Sequence, residues 1–215
     1  MNNVNKKLVL GHKNCIDGFM SLFLVWKAFK DTEEFDKWEF LEVQYGDPIP
    51  DVEDKDVLIL DFSYSPEILK EHFSKANSIK ILDHHYTAYA DQMRYLSEET
   101  LGSKPIGSDE ELESAYPLIG KNYFNIKGCC RGDAKICIEK EKSGAGMTLD
   151  YIKELFGTND DWMVIHPELR KLVSLVQRVQ DRDLWKFEYA DTKSVYELLT
   201  SIPRTFESCD QYQKR

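Results

Sequence analysis

Short apolar or alternating segments, typical of strands, are interspersed with longer segments in which apolar residues recur at helical spacing. The predicted strands are residues 7–11, 39–45, 57–61, 78–83 and 135–140. The predicted helices are residues 18–30, 66–76, 143–157 and 166–185. Four consecutive apolar residues at 57–60 favour a strand that is buried on both faces. The order of elements predicts an α/β fold with a mostly parallel, five-stranded sheet and helices on both faces.

Two stretches lack this regularity. Residues 89–133 show no clear periodicity and are interpreted as an insertion or a long connection that contains one short helix. Residues 191–215 are expected to form a C-terminal tail with a short helix and many polar residues. A single domain over residues 1–190 is therefore predicted, and a chain of 215 residues is long enough to bury a full core.

Composition limits the partners and the compartment. The net charge of −10 argues against a protein that binds long nucleic acid by neutralising phosphates, but it allows a small anionic substrate. The five cysteines are irregularly spaced without a CxxC pair, so neither a disulfide framework nor a zinc knuckle is indicated. The N-terminal apolar run is too short for a signal peptide or a membrane span, so a cytoplasmic protein without membrane attachment is expected.

Metal-ligating side chains follow three of the predicted strands. His12 follows the first strand and Asp17 comes five residues later, Asp61 ends the third strand, and Asp83-His84-His85 ends the fourth. In an open α/β sheet, ligands bind at the edge formed by the carboxyl ends of the strands. Clustered carboxylates are costly unless cations lie among them, and Asp with neutral His suits manganese or magnesium. The pattern predicts a hydrolytic site for divalent metal ions.

A further acid at the end of the last predicted helix, Asp181 or Asp183, is expected to complete the ligand set. Two ions roughly 3.5–4 Å apart would share a hydroxide and clamp a phosphoryl group for in-line attack. His85 would then face the substrate, as a cation or a proton donor to phosphate.

Three further features have less specific interpretations. The turn Ser143-Gly144-Ala145-Gly146 either presents backbone N–H groups to a phosphate or allows a helix to pack closely on the sheet. Arg182 either contacts phosphate or, as the preferred alternative, pairs with the acids on each side of it. Trp185 is expected in the core, with base stacking as the alternative.

Several ordered blocks of the sequence resemble the DHH phosphoesterase family. The blocks are residues 11–19, 45–67, 81–85, 143–146 and 179–185. They are similar to the exopolyphosphatase-like subgroup of a family that also contains RecJ-like exonucleases, oligoribonucleases and cyclic-dinucleotide phosphodiesterases. Asp83-His84-His85 alone would be a weak signal, whereas the blocks in their order are a specific one. Residues 89–133 are unmatched.

The resemblance implies the fold of a catalytic DHH domain and a role for each motif residue. The implied metal ligands are His12, Asp17, Asp61, His84 and Asp181, with Asp183 as the competing choice for the last. His85 is implied as the catalytic contact to phosphate, and Asp83 as the acid that orients an imidazole. The implied substrate contacts are His85, Arg182, Ser143 and Gly144. The implied cofactor is Mn²⁺, as two ions, with Mg²⁺ as the alternative.

The sequence departs from the family pattern at two points. Most members carry an additional acid in the first motif, where this chain has Lys13-Asn14-Cys15-Ile16. Asn14 or Cys15 would replace that acid, or the first ion would be bound weakly or not at all. The glycine- and histidine-rich signature of a second, substrate-binding domain does not occur in the sequence.

The implied function is metal-dependent hydrolysis of a small phosphodiester or phosphoanhydride by a metal-bound hydroxide. The substrate would be a short oligonucleotide, a dinucleotide or polyphosphate. The alternative is a binding or regulatory module with weakened catalysis. A homodimer, or a separately encoded substrate-binding subunit, would supply the surface that a second domain otherwise provides.

Overall fold

The computed structural model describes five parts of the chain, and their central element is a six-stranded sheet. The described parts are residues 5–101, 108–115, 121–132, 134–157 and 167–213. The strands are β1 (Lys6–His12), β2 (Trp38–Val43), β3 (Lys55–Leu60), β4 (Ser78–Asp83), β5 (Lys121–Ile126) and β6 (Ala134–Glu139). Their order across the sheet is β2-β1-β3-β4-β6-β5. Neighbouring strands are parallel except β5 and β6, which are antiparallel.

The α/β class and the mostly parallel sheet are confirmed, but the predicted number of five strands is wrong. The sixth strand, β5, lies within residues 89–133, which were interpreted as an insertion or a long connection. Phe124 and Ile126 of this edge strand are buried, whereas Tyr123 and Asn125, which alternate with them, are exposed. This alternation is present in the sequence, but the strand lacks the continuous apolar run that marks its neighbours.

Helices cover both faces of the sheet. They are α1 (Ile16–Phe29), α2 (Pro66–His72), α3 (Tyr86–Leu101), α4 (Asp109–Ala115), α5 (Gly144–Phe156), α6 (Pro167–Asp183), α7 (Thr192–Ser201) and α8 (Phe206–Gln213). Helices α1, α5, α6, α7 and α8 pack on the face that contains Leu58 and Leu60. Helices α2, α3 and α4 pack on the face that contains Val57 and Ile59. Within the described ranges, no helix is long and apolar enough to cross a membrane.

Both C-terminal helices, α7 and α8, contribute to the hydrophobic core, whereas the sequence predicted a tail with one short helix and many polar residues over residues 191–215. Leu199 of α7 and Cys209 of α8 are buried in the same cluster as the apolar side of α1. Asp210 accepts hydrogen bonds from Lys27 and, at 2.9 Å, from Lys30. Because Lys27 and Asp210 are both buried, loss of either partner would leave an uncompensated charge in the core. This ion pair therefore fixes α8 against α1.

Serine caps fix where α2 and α5 begin. The hydroxyl of Ser65 accepts the N–H of Ile68, and Pro66 occupies the first helical position of α2. The hydroxyl of Ser143 accepts the N–H of Gly146 in the first turn of α5. The N-terminus that the second cap fixes lies against Asp61, which follows β3.

Candidate metal centre

The side chains predicted to bind metal converge at the carboxyl ends of β1, β3 and β4. These strands are adjacent and parallel, so they end at the same edge of the sheet. His12 is the last residue of β1, Asp61 follows β3, and Asp83 is the last residue of β4, with His84 directly after it. Asp17 joins them from the first turn of α1. This is the edge at which open α/β sheets bind their ligands.

His84 lies among three carboxylates. Its Nε2 atom is 3.1 Å from Oδ1 of Asp61, 3.3 Å from Oδ2 of Asp183 and 3.7 Å from Oδ2 of Asp17. The side chains of Asp17 and Asp61 are 1% and 0% exposed. Like charges this close repel strongly when they are removed from water, and one imidazolium offsets only part of that repulsion. The cluster therefore favours the binding of additional positive charge.

Three buried polar atoms of this cluster have no hydrogen-bond partner among the residues that the structure describes. They are Nδ1 of His12, Oδ2 of Asp61 and Oδ2 of Asp183. Nδ1 of His12 and Oδ2 of Asp61 are 3.7 Å apart, which is too far for a hydrogen bond. Since buried polar atoms nearly always have a partner, such a cluster indicates a ligand site. Imidazole nitrogen and carboxylate oxygen together fit a divalent metal ion.

The candidate ligands form overlapping groups. In the described part of the chain, the groups whose ligand atoms lie within 4.8 Å of one another are His12, Cys15 and Asp61; Asp61, His84 and His85; and Asp17, His84 and Asp183. Asp61 belongs to the first two of these groups. Its position between them suits a carboxylate that bridges two ions.

Burial and neighbouring charges change the protonation of the cluster. Burial, together with the charges of Asp61 and Asp183, raises the pKa of Asp17 well above its ordinary value, and burial also raises the pKa of Asp183. Burial opposes ionisation of Asp61 as well, but the imidazoles of His12 and His84 outweigh it and lower that pKa. Burial disfavours the charged form of His84, but the carboxylates, Asp61 first, outweigh it and raise its pKa to about 9. A bound cation would displace the protons that this cluster holds.

The N-terminus of α5 binds the carboxylate of Asp17. The backbone N–H of Gly144 donates to Oδ2 of Asp17 at 2.5 Å, and the N–H of Ala145 donates to Oδ1 at 3.0 Å. The N–H of Gly146 is taken by the hydroxyl of Ser143, which is fully buried. The first turn of α5 thus stabilises an acid of the cluster. This geometry does not support the predicted phosphate contact by Ser143 and Gly144, and it agrees with the alternative of close helix packing.

Two glycines let α1 and α5 approach the strand ends. A Cβ atom on Gly144 would lie 2.8 Å from Oδ1 of Asp61, and one on Gly18 would lie 2.8 Å from the backbone N of His12. Real Cβ atoms do not come this close to another heavy atom. Both helices therefore rest directly against the residues that carry the candidate ligands, and each contact requires a residue without a side chain.

Replacing Gly144 by alanine should destabilise the protein and weaken metal binding, because the new methyl group would displace Asp61. Overpacking of this kind costs about 1–3 kcal/mol of unfolding free energy, which urea denaturation measures. Gly146→Ala is the matched control on the same helix. Its methyl group would meet the far end of the Gln180 side chain, which can move, so the cost should be smaller. Equal losses for the two variants would contradict the close contact at Asp61.

His85 is oriented by Asp83. Nδ1 of His85 is 2.7 Å from Oδ1 of Asp83, and the same oxygen accepts the backbone N–H groups of His84 and His85 at 2.7 and 3.2 Å. A carboxylate only accepts, so Nδ1 of His85 carries the proton of this bond. Burial disfavours the charged form of His85, but Asp83 outweighs it and raises the pKa. The geometry matches the predicted pair of an orienting acid and an oriented imidazole.

The structure separates Asp181 from Asp183. Oδ1 of Asp181 accepts the backbone N–H of Glu188 at 2.8 Å, and its Oδ2 accepts the hydroxyl of Thr192. Asp183 instead directs Oδ2 toward His84. Asp183, the competing choice, therefore takes the place in the cluster that the sequence assigned to Asp181. Asp181 holds the loop that follows α6.

Helical periodicity contained the signal that distinguishes these two acids. Asp183 follows Val179 by four residues and Val176 by seven, which places it on the apolar side of α6 that packs against the core. Asp181 lies about 200° around the helix from Asp183. The apolar side of α6 faces the cluster, so the pattern favoured Asp183, whereas Asp181 is buried on the other side by the loop that it holds.

Of the two residues expected to replace the missing acid, Cys15 lies at the cluster and Asn14 does not. Cys15 precedes α1, and its sulfur lies within 4.8 Å of the ligand atoms of His12 and Asp61. Burial and the charge of Asp61 raise the pKa of this thiol. Asn14 is exposed and has a left-handed backbone conformation with φ +59°. Of the two candidates, Cys15 is the one that faces the cluster.

Arg182 stacks on aromatic rings and forms no ion pair with either neighbouring acid, both of which the structure describes. Its guanidinium carbon lies 4.3 Å from the ring centre of Trp185 and 5.1 Å from that of Tyr196. The preferred expectation of an ion pair with Asp181 or Asp183 is therefore wrong. Trp185 is 71% exposed, so the expectation that it lies in the core is also wrong.

Comparison with known proteins identifies a distant viral relative. No protein-family model matches the chain, and no solved structure matches it. The chain is similar to Uncharacterized protein R106 of Acanthamoeba polyphaga mimivirus, with 25% identity over 197 residues. The alignment covers 86% of this chain and 35% of the viral protein, so the chain spans about a third of that relative's length.

Proposed function

We propose that this chain is a metal-dependent phosphoester hydrolase of the DHH phosphoesterase type. The observation that carries the proposal is the set of buried atoms on His12, Asp61 and Asp183 that lack a hydrogen-bond partner among the described residues, next to the imidazole of His84. A divalent cation would satisfy these atoms and offset the repulsion among the carboxylates. The position of the cluster at the carboxyl ends of adjacent parallel strands adds support.

The candidate ligands would surround Asp61. This carboxylate belongs to one group with His12 and to another with His84, and Asp17 and Asp183 add oxygen atoms around His84. Mn²⁺, or Mg²⁺ as the alternative, would be held there as two ions. A bound ion of this kind supplies a Lewis acid that polarises a phosphoryl oxygen and lowers the pKa of water.

His85 is the proposed catalytic contact to the phosphoryl group. Its Nδ1 atom is bound to Asp83, which fixes the ring and leaves Nε2 for the substrate. The side chain is 40% exposed, so a substrate can reach it. Asp83 raises the pKa of His85 against the effect of burial, which favours the imidazolium form, whose Nε2–H would stabilise negative charge on the phosphoryl oxygens.

The charge of the chain favours a small substrate. At −10, the protein repels long nucleic acid, whereas metal ions at the cluster would attract a short anion locally. We expect a short oligonucleotide, a dinucleotide or polyphosphate, hydrolysed in the cytoplasm. A homodimer, or a separate subunit, would extend the surface that grips the substrate.

The test is a hydrolysis assay with added Mn²⁺ and a panel of dinucleotides, cyclic dinucleotides, pyrophosphate and polyphosphate. We expect at least one compound to be consumed, and a chelator to stop the reaction. Elemental analysis of the same preparation should find two ions per chain. If two ions are bound and the whole panel survives, the proposed activity is wrong.

The observation on Cys15 favours a second candidate function, a binding module with weakened catalysis. A thiol with a raised pKa replaces a hard carboxylate at the first group, so one ion would bind less tightly there. This candidate predicts one ion or none per chain, together with no turnover of the panel. Metal content and turnover measured on one preparation therefore distinguish the two functions.

A further inference from the structure

An exposed aromatic surface lies beside the metal centre. Trp185, Phe187 and Tyr189 expose 71%, 36% and 37% of their surfaces, and we call these three residues the aromatic platform. The platform directly follows α6, whose last residue is Asp183. A cluster of large apolar side chains is unusual on a protein surface and commonly marks a binding site.

The platform is held in an unfavourable backbone conformation. Trp185 and Phe187 have φ of +55° and +51°, a left-handed region that bulky side chains rarely adopt. Such strain persists only where the surroundings enforce it, and it concentrates at functional sites. Asp181 enforces it here, because its carboxylate accepts the N–H of Glu188 and its carbonyl accepts the N–H of Lys186 at 3.0 Å. These hydrogen bonds hold the loop in the conformation that exposes the rings.

A cationic side chain lies over each ring of the platform. The pairs are Arg182 at 4.3 Å from the ring centre of Trp185, Lys193 at 5.5 Å from that of Phe187, and Arg178 at 4.2 Å from that of Tyr189. Arg178 also pairs with Asp191 at 3.0 Å, so Arg182 and Lys193 supply the positive charge of the platform. Bases stack on aromatic rings and phosphates attract cations, so a surface that combines both suits a nucleotide.

The platform is also close to the metal centre. Trp185 follows Asp183 by two residues, and Oδ2 of Asp183 is 3.3 Å from Nε2 of His84. Arg182, the residue before Asp183, contacts the rings of Trp185 and Tyr196 at 4.3 and 5.1 Å. Arg182 therefore lies between the platform and the candidate metal ligands.

We infer that the aromatic platform binds the nucleobase of a nucleotide whose phosphoester lies at the metal centre. The inference rests on the proposed function and narrows its substrate class to nucleotide phosphoesters. One face of Trp185 contacts Arg182, and the exposed remainder of the side chain is available to a base. Stacking does not depend on the identity of the base, so the site accepts purines and pyrimidines.

The test compares the binding of adenosine 5′-monophosphate with that of ribose 5-phosphate, which lacks the base, by calorimetry in the presence of Mn²⁺. The parent protein should bind the nucleotide about 10-fold more tightly, as one stacking contact implies. Trp185→Ala should lower nucleotide affinity about 10-fold, whereas Trp185→Phe, which keeps a ring, should retain most of it. Tyr123→Ala is the matched control, because Tyr123 is 70% exposed on the edge strand β5. It should leave affinity unchanged.

Two results would overturn the inference. One is equal affinity for the two ligands, or a nucleotide preference that survives Trp185→Ala. The other is a change of oligomeric state in sedimentation experiments, in which the parent protein is a dimer and Trp185→Ala is a monomer. The platform would then be the interface with a second copy of the chain. Turnover of a saturating dinucleotide, measured in parallel on the parent and on Trp185→Ala, tests the proposed function separately from nucleotide affinity. A failure of stacking is therefore separable from a failure of catalysis.

Discussion

Asp61→Asn should abolish metal-dependent phosphoester hydrolysis while leaving the protein folded. Asp61 lies in two ligand groups, and the amide would lose the charge that attracts the ions without changing the size of the side chain. Turnover should fall by at least the roughly 10³-fold that the loss of one electrostatic stabiliser costs in an active site. The measurement is turnover of the best compound of the panel at saturating Mn²⁺, with circular dichroism as the test of folding.

Asp56→Asn is the control for this substitution. Asp56 lies on the same strand, β3, near its amino end, where it accepts a hydrogen bond from Ser78 and pairs with Lys7 at 3.8 Å. Because this end of the sheet is remote from the candidate ligands, the variant should keep parental turnover. An Asp61→Asn protein that hydrolyses the substrate as fast as the parent would show that the reaction takes place elsewhere.

Asp183→Asn should make the metal-free protein more stable and the metal-loaded protein less active. Burial raises the pKa of Asp183. At a pH above the ordinary carboxyl pKa, ionisation of Asp183 therefore lowers the free energy of unfolding, and the amide removes this loss. A gain of 1 kcal/mol corresponds to about 2–4 °C in Tm for a domain of this size. The gain should shrink as the pH falls below the ordinary carboxyl range. Scanning calorimetry with a chelator measures it.

Mn²⁺ supplies the second measurement on the same variant. An ion that binds only the folded protein raises Tm in proportion to the logarithm of its concentration over its dissociation constant. The parent should therefore gain stability from added Mn²⁺, whereas Asp183→Asn should gain much less. A variant that is stabilised by Mn²⁺ as strongly as the parent would remove Asp183 from the ligand set.

Asp181→Asn is expected to have the opposite effect on stability. The carboxylate of Asp181 accepts hydrogen bonds from Glu188, Tyr189 and Thr192, and hydrogen bonds to a charged acceptor contribute about 1.5–3 kcal/mol. This variant should lose unfolding free energy without metal and keep the stabilisation by Mn²⁺. The opposite signs of the two substitutions distinguish the acid of the loop from the acid of the cluster.

The sequence was sufficient to predict those site residues that lie at the ends of strands. Each strand with a continuous apolar run was found, and a parallel sheet brings the carboxyl ends of neighbouring strands together. The positions of His12, Asp61 and His84 at one edge therefore follow from local patterns. The edge strand β5 was missed because exposed Tyr123 and Asn125 alternate with its buried residues and the strand has no continuous apolar run.

The remainder depends on contacts between distant residues, which no local pattern contains. Ser143 and Gly144 match a phosphate-binding turn in sequence, but the N–H groups of that helix are used by Asp17, which is 127 residues away from Gly144. Trp185 has the large apolar side chain that is typical of a core residue, but hydrogen bonds to Asp181 hold its loop at the surface. Spacing along the chain cannot show which of two suitable partners a group finds.

The contacts of Gly18 with His12 and of Gly144 with Asp61 bear on how the proposed activity would be lost during evolution. Any side chain acquired at either glycine would move a ligand before a ligand itself mutated. A lineage released from selection could therefore become inactive while every acid and imidazole is still present. Genome surveys that count intact ligand motifs alone would overestimate the number of working enzymes, and including these two positions in the motif would correct the estimate.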